Sequence, residues 1–289
     1  MKPHPRSRIL AGLALGLTLT ALAGCAGDTT APPTRREISV FGYLYVGEAI
    51  TEENALRISE VRPIDDYYDP AEAAISGAVV TLQKHGGAPD TLPMVRPGYY
   101  ANPEVVIDSQ TSYDLRVLIP GRAPISATTA TPTAFVTHRE PRVLPGSMRI
   151  GDIPDSFTIA LSCENPEQML LLDVYCQENW QDARYIDPPG SHDHPDDYDE
   201  YGKNNGEPRH NFGYFRFKNL EKEGDDRLVN FYDAMMVFYG RYTVTLLAMD
   251  DNYYRYLYLD HPEENGGIVG GIGVFGSACR TQYQVRVTP

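Results

Sequence analysis

The sequence predicts an all-β protein made of two β regions, with at most one or two short helices in the second region. Short segments that alternate apolar and polar residues follow one another along the chain, as strands with one buried face do. The 25 glycines and 23 prolines punctuate these segments, which is typical of turns. No long stretch has the periodicity of an amphipathic helix. These observations favour packed β-sheets.

The first β region covers residues 37–132 and is expected to form a sandwich of short strands. The predicted strands are residues 37–46, 55–61, 75–84, 91–95, 105–107, 111–119 and 125–131. The first strand alternates aliphatic residues with the aromatic residues Phe41, Tyr43 and Tyr45, so we expect at least one of its faces to be buried. The predicted core consists of Val79, Leu82, Tyr99, Tyr113 and Leu115.

The second β region covers residues 155–289 and follows a proline-rich crossing segment, residues 133–154. Its predicted strands are residues 157–162, 169–177, 212–218, 228–238, 242–249, 267–275 and 282–287. Residues 251–259 fit either a helix or a strand with alternating tyrosines. Asp250 and Asp251 could cap a helix and Pro262 could stop it, so the pattern favours a short helix.

The N-terminus predicts secretion. Three basic residues precede an apolar run over residues 9–23, which is too short for a comfortable membrane span. Leu22-Ala23-Gly24-Cys25 resembles the lipobox of bacterial lipoproteins, which implies cleavage of residues 1–24 and acylation of Cys25; the alternative is an ordinary secretory signal with a chance cysteine. Residues 25–36 would then be a polar, lipid-anchored tether. By the enterobacterial sorting rule, Ala26 after the cysteine implies the outer membrane, on either its periplasmic or its cell-surface face.

The mature chain is strongly acidic. Removing the leader takes away three of the 25 Lys and Arg and no acid, so 22 basic residues face 39 acidic ones and the formal net charge is −17. Such a surface repels phosphate backbones, which disfavours nucleic-acid binding, whereas cations and basic partners remain open. Solubility alone also explains the acidity.

Three cysteines remain after Cys25, namely Cys163, Cys176 and Cys279, and in an oxidising compartment all are disulfide candidates. If residues 157–162 and 169–176 form a hairpin turning near Asn165-Pro166, Cys163 and Cys176 lie too far apart to bridge. A bridge that involves Cys279 is then preferred.

The longer loop, residues 178–211, holds the one concentration of potential metal ligands. His192 and His194 alternate and could share Zn²⁺, while Asp196 and Asp199 provide oxygens that suit Ca²⁺. The alternative is a solvated acidic loop without bound metal.

Tyrosine is the compositional outlier, with 20 Tyr against 9 Phe and 1 Trp. Tyrosine suits protein interfaces and sugar platforms, so a binding surface could include Trp180, Tyr185, Tyr198 and Tyr201, together with the tyrosines of residues 253–258. The alternative is that these tyrosines occupy half-exposed sheet faces, which also favour them.

The glycine-rich segment Gly271-Ile272-Gly273-Val274-Phe275-Gly276 spells a dinucleotide-binding fingerprint in the wrong context. That site needs a following helix and an acidic residue about 20 positions on, and too few residues remain. The glycines are better explained by a bulge or a close backbone approach in a strand. No serine, histidine or cysteine pattern predicts a catalytic residue, so we expect no enzyme.

Two resemblances run through the chain. The order GAVVTL, GYY, YDLRV and ATTATP is similar to immunoglobulin-like and prealbumin-like modules, which implies that the first region is a spacer or binding sandwich. The acylated cysteine, the VFGYL strand, the GAVVTL strand and the terminal GGIGVFG together resemble an uncharacterised family of Bacteroidota-type outer-membrane lipoproteins, domain of unknown function 4249. That resemblance implies an outer-membrane location near TonB-dependent transporters or other envelope assemblies, without an assigned activity.

Three functions therefore remain open. The first is an accessory protein that binds an outer-membrane or other envelope protein. The second is a surface lipoprotein that binds glycan, peptide or metal, and the third, least favoured, is a hydrolase.

Overall fold

The computed structural model describes residues 37–62, 69–139, 143–145, 158–178, 210–230, 238–261 and 265–288, all within one compact unit, residues 37–289. The first ten strands are β1 Ile38–Tyr45, β2 Ala49–Ile50, β3 Leu56–Glu60, β4 Val79–Lys84, β5 Pro89–Thr91, β6 Met94–Arg96, β7 Tyr99–Tyr100, β8 Asn102–Val106, β9 Ser112–Leu118 and β10 Ile125–Ala130. The other ten are β11 Val136–Arg139, β12 Val143–Pro145, β13 Thr158–Ser162, β14 Met169–Cys176, β15 His210–Arg216, β16 Glu221–Glu223, β17 Asp226–Asn230, β18 Gly240–Met249, β19 Ile268–Val269 and β20 Ile272–Thr288.

Helical structure is scarce, so the predicted all-β class is confirmed. Helix α1 is the single turn Pro70–Ala73, and α2 is Asp251–Tyr258, where a short helix was expected. A 3-10 turn occupies Phe217–Asn219. Asp250 caps α2 as the sequence predicts, since its side chain accepts a hydrogen bond from the Tyr253 N–H.

One large sheet runs through both β regions. Its order is β15-β14-β18-β20-β1-β3-β7-β6, and β12 also pairs with β20. A second sheet, of order β19-β10-β9-β4-β5, faces the β1 half of the large sheet, and a third, of order β11-β13-β17-β16, faces the β14–β18 half. Each facing pair encloses a hydrophobic core, one filled from residues 38–127 together with Phe275, the other from residues 135–287.

Strand β20 joins the two cores. Residues 272–278 pair in parallel with β1, and residues 278–287 pair antiparallel with β18. Its inward-facing Phe275 belongs to the first core, and Tyr283 and Val285 belong to the second. The strand pairing therefore crosses between the regions predicted as domains 37–132 and 155–289.

Several details of the sequence prediction are wrong. Tyr99 of the predicted core is only half-buried, whereas its neighbour Tyr100 is buried. Val79 is 54% exposed, while its neighbour Val80 is buried, because residues three apart such as Val79 and Leu82 cannot share a strand face. The hairpin proposed for residues 157–176 does not form. Strand β13 pairs with β11 and β17, whereas β14 pairs with β15 and β18, so the turn at Asn165-Pro166 carries the chain from one sheet to another.

Candidate functional site

The outer face of the large sheet, opposite the second core, carries rows of side chains that lie in register across neighbouring strands. In one row Asp173 pairs with Thr245, and Thr245 pairs with Gln282. The Gln282 side-chain amide donates to the Thr245 hydroxyl at 3.3 Å. We call these three residues the polar row. The sheet thus displays a carboxylate, a hydroxyl and an amide within the spacing of adjacent strands.

Helix α2 lies beside the polar row and covers an apolar part of the same face. The residues beneath it form a small separate cluster with Tyr253 and Tyr258, namely Leu171, Leu247, Met249 and Ala278. The Tyr253 ring lies 4.4 Å from the Tyr43 ring, and the Tyr256 ring lies 5.7 Å from the Phe41 ring, edge to face. These ring pairs hold the helix against the outward aromatic face of β1.

Asp250 fixes the start of the helix to the rest of the fold. Its two carboxylate oxygens accept hydrogen bonds from the Tyr253 N–H at 2.9 Å, the Ser277 N–H at 3.1 Å and the Thr129 hydroxyl at 2.5 Å. The neighbouring Asn252 amide donates to the carbonyls of Thr128 and Phe275. Burial raises the pKa of Asp250, although these hydrogen bonds pull it down. The helix therefore keeps a fixed position between β10 and β20.

Replacing Asp250 with alanine should lower the free energy of unfolding by about 2–4 kcal/mol, because the helix loses its cap and three donors lose their acceptor. Asp250→Asn keeps one oxygen at the cap and should cost less than about 1 kcal/mol at neutral pH. Denaturant titration of the two variants measures the difference, and equal losses would contradict the role given to the carboxylate oxygens.

The pH dependence provides a second measurement on the same variants. Because the folded-state pKa of Asp250 is raised, this group contributes its full stabilisation below the ordinary aspartate pKa and loses it as pH rises through the raised value. The stability of the natural protein relative to Asp250→Asn should therefore increase as the pH is lowered through that window. A relative stability that falls on acidification would show the opposite shift.

An ion pair lies beside Tyr45, which is hydrogen-bonded to Tyr253 of helix α2. Arg280 donates two hydrogen bonds to the Glu48 carboxylate, both at 2.6 Å, and its guanidinium lies 4.0 Å from the centre of the Tyr45 ring. Burial raises the pKa of Tyr45 and of Tyr253, so both phenols stay neutral, and their hydroxyls are hydrogen-bonded to each other. This part of the face offers neutral hydroxyls and a charge that is already paired.

The most exposed part of the face is an aromatic patch, which we define as Phe212, Tyr214, Tyr254 and Tyr258. Tyr258 contacts Tyr214 edge to face at 4.1 Å and stacks on Tyr254 at 4.7 Å. Phe212 is 52% exposed and Tyr214 is 42% exposed. Among the described residues, the buried Tyr258 hydroxyl has no hydrogen-bond partner, which lowers the stability of the fold.

The patch lies at one end of the large sheet, as far as the described residues show it. Phe212 and Tyr214 belong to β15, which pairs with β14, so that Phe212 lies opposite Asp173 and Tyr214 lies opposite Leu171. The two rings therefore continue the outer face of the sheet beyond the polar row.

Several residues singled out by the sequence lie outside the described residues. These are Cys25, the proposed metal ligands His192, His194, Asp196 and Asp199, and the proposed surface residues Trp180, Tyr185, Tyr198 and Tyr201. Within the described ranges no three His, Cys, Asp or Glu side chains are grouped so that they could hold a metal ion. In the same part of the chain, no helix is both long and apolar enough to cross a membrane.

The structure brings together residues that the sequence analysis kept apart. It places the tyrosines of residues 253–258 on one helix, against Phe41 and Tyr43 from the opposite end of the chain. The roles of Phe212, Tyr214 and Asp173 were missed. The alternation of side chains along β14 and β15 could have indicated that these residues share the outer face. Helix α2, which packs beside them, is distant in sequence.

Comparisons with solved structures return β proteins at low similarity. A segment of two fibronectin type-III domains from chicken tenascin matches 87% of this chain and 98% of its own length, at 9% identity and a TM-score of 0.20. Escherichia coli alpha-2-macroglobulin activated by porcine elastase matches 87% of this chain and 23% of its own length, at 12% identity and a TM-score of 0.24.

Sequence comparison is more specific. Among proteins with a curated description, none matches this chain. A family model described as "Domain of unknown function (DUF4249)" matches residues 36–283, which include every described element up to Tyr283. The resemblance noted from the VFGYL and GGIGVFG segments is thereby confirmed at the level of the family. The chain belongs to the DUF4249 family.

Proposed function

We propose that this protein is a lipid-anchored binding protein of the outer membrane of a Bacteroidota-type bacterium. It would bind an envelope protein, such as a TonB-dependent transporter, through the aromatic patch. The observation that carries the proposal is the aromatic patch itself, in which Phe212 and Tyr214 are exposed. The lipobox-like segment that ends at Cys25 supports the anchor.

The chemistry of the patch suits a protein partner. Tyrosine and phenylalanine are enriched where protein interfaces are buried, because each offers a large apolar area at a low entropic cost. At the end of β15 the ion pairs of Glu167 with Arg216 and Lys218 would form a charged rim.

The support for the patch is rigid. Helix α2 is tied to β10 and β20 through Asp250 and Asn252, and its rings pack on Phe41 and Tyr43. A binding surface held in one conformation loses less entropy when a partner docks. The fold therefore favours recognition by a preformed surface.

Site-specific cross-linking in native membranes tests the proposal. A photoreactive benzophenone side chain replaces Phe212 in the full chain, and the same side chain replaces Val269 as the matched control. Val269 is 67% exposed and belongs to β19, in the second sheet. Illumination should give a discrete adduct of higher mass from position 212, whose partner is identified by mass spectrometry, and none from position 269. No adduct at 212, or equal adducts at both positions, would refute the assignment of the patch.

A second candidate function is glycan binding at the polar row. Burial raises the pKa of Tyr253 and of Tyr214, and the nearby Asp173 carboxylate raises both further, so a carboxylate, an amide and aromatic rings occur together. Sugar sites combine planar polar groups with aromatic faces. Oligosaccharides should then raise the melting temperature of the natural protein, and of Asp173→Ala much less. A shift that is equal in both would place the sugar elsewhere.

Other ligands remain predictions of the sequence. Zn²⁺ or Ca²⁺ binding by the loop that holds His192 and His194 is measured by calorimetry with each ion, and a peptide ligand by the same thermal-shift assay. A hydrolase is the least favoured reading, and it requires turnover that disappears when a clustered carboxylate or histidine is replaced.

A further inference from the structure

We propose that Cys163 and Cys279 form a disulfide that links the two sheets around the second core, while Cys176 remains a thiol. All three cysteines are thiols in this structure, and all three pack in or against the same core. The bridge would join the turn after β13 to the middle of β20. This inference concerns a covalent modification and goes beyond the proposed binding function.

The strand register brings Cys163 next to Phe135. Strands β11 and β13 pair antiparallel, with Val136 opposite Ser162, so the next pair along is Phe135 with Cys163. Phe135 belongs to the second core and Cys163 packs against it, so both side chains point inward. Cys163 therefore lies on the core side of the third sheet.

Cys279 reaches the same point from the opposite sheet. It also packs against the second core, from β20, and its sulfur accepts a hydrogen bond from the Phe135 N–H. A sulfur of one sheet that touches the backbone of the other shows that the layers approach closely here, although sheets normally pack about 10 Å apart. Burial raises the pKa of the Cys279 thiol most, and Cys163 is close enough to raise it further.

Cys176 is too far away to take part. The separation of Cys176 and Cys279 can be counted along β18, because Cys176 pairs with Tyr242 and Cys279 pairs with Ala248. Six residues of extended strand span about 20 Å, whereas bridged cysteines have Cα atoms about 4.4–6.8 Å apart. Because Cys163 lies near Cys279, it is also too far from Cys176 to form a bridge with it. The Cys163–Cys279 pairing is then the only one of the three that the geometry permits.

The oxidation needs an external disulfide as oxidant. The thiolate of one cysteine attacks a sulfur of that disulfide and releases one thiol, which leaves a mixed disulfide on the protein. The second thiolate attacks the protein sulfur of the mixed disulfide and releases the second thiol. Two protein thiols lose two electrons and two protons, and one oxidant disulfide is reduced to two thiols. Burial raises the pKa of both thiols, so formation is slow at neutral pH and the finished bridge is shielded from reductants.

Peptide mapping of the full chain from its native membranes tests the pairing. Free thiols are alkylated before solubilisation, the chain is unfolded in fresh alkylating agent, and its fragments are compared with and without reduction. We expect a linked Cys163–Cys279 fragment pair that reduction separates, and an alkylated Cys176. Recovery of Cys163 and Cys279 as alkylated thiols, or any bridge to Cys176, would overturn the proposal.

A thermal series provides an independent measurement on the same protein. Dithiothreitol should lower the melting temperature of the natural chain by on the order of 10 °C, because a long loop is released. The Cys176→Ser variant should show the same shift, whereas Cys163→Ser and Cys279→Ser should show none. A shift that persists in Cys279→Ser would refute the bridge even if that variant is itself less stable.

Discussion

Replacing Gly273 with alanine is expected to destabilise residues 37–289 by at least about 4 kcal/mol, enough to prevent cooperative folding of a marginally stable protein. Gly273 pairs with Val40 where β20 runs parallel to β1. Its φ is +112°, a region that L side chains rarely adopt, and a Cβ atom there would overlap the Val40 carbonyl oxygen. The backbone strain and the steric overlap would both weaken the pairing of β1 with β20, which connects the N-terminal and C-terminal parts of the fold.

Two glycine variants separate the causes of that loss. At Gly77 a Cβ would meet nothing within 4 Å, so Gly77→Ala should be nearly neutral. Gly47 has a φ of +79° but also open space, so Gly47→Ala measures the backbone strain alone, about 1 kcal/mol. Denaturant unfolding followed by circular dichroism ranks the three variants. If Gly273→Ala unfolds at the same denaturant concentration as Gly47→Ala, steric overlap is not the reason for this glycine.

The proposed acylation of Cys25 predicts that its loss moves the protein almost entirely from the membrane to the soluble envelope fraction. Two or three acyl chains make anchoring effectively complete, since each buried methylene contributes about 0.8 kcal/mol. The test exchanges residues 1–24 for an ordinary cleavable secretory signal and replaces Cys25 with serine, so that no uncleaved leader holds the chain. Fractionation after an alkaline wash, with the mass of the mature N-terminus, measures the outcome.

The matched control keeps the natural leader and changes a buried thiol. Cys176→Ser should remain in the membrane fraction and keep the acyl mass on Cys25. If the serine variant at position 25 stays membrane-bound after the wash, another element holds the protein. If the natural N-terminus carries no acyl mass, the lipobox reading of Leu22–Cys25 is wrong.

Local patterns predicted most of the longer strands, but not β11 and β12, which lie within residues 133–154, where a crossing segment was expected. The alternation in β1 identified both of its faces, and the capping residue at Asp250 identified a helix in a tyrosine-rich segment that could also have been a strand. The glycines of residues 271–276 were correctly attributed to close backbone approach, since a Cβ at Gly271 or Gly273 would collide with a β1 carbonyl. Each inference used information within a few residues.

These local patterns could not predict which strands pair when they are distant in sequence. The sequence predicted two strands, 267–275 and 282–287, where one 17-residue strand runs, because Ser277 and Arg280 interrupt the apolar run. Those residues are polar because they bind Thr129 and Glu48 from distant elements. The Phe212 and Tyr214 part of the aromatic patch was missed for the same reason, since Tyr214 contacts Tyr258 only through the sheet order.

The parallel pairing of β1 with β20 has a mechanical consequence for a protein tethered by its N-terminus. Tension on the proposed lipid anchor would reach the fold at Ile38, and its component along β1 would act against β20. The ladder of seven residue pairs would be loaded in shear, so that its hydrogen bonds share the force instead of opening one after another. A force from the membrane would therefore have to break the whole β1–β20 ladder together before the protein unfolds.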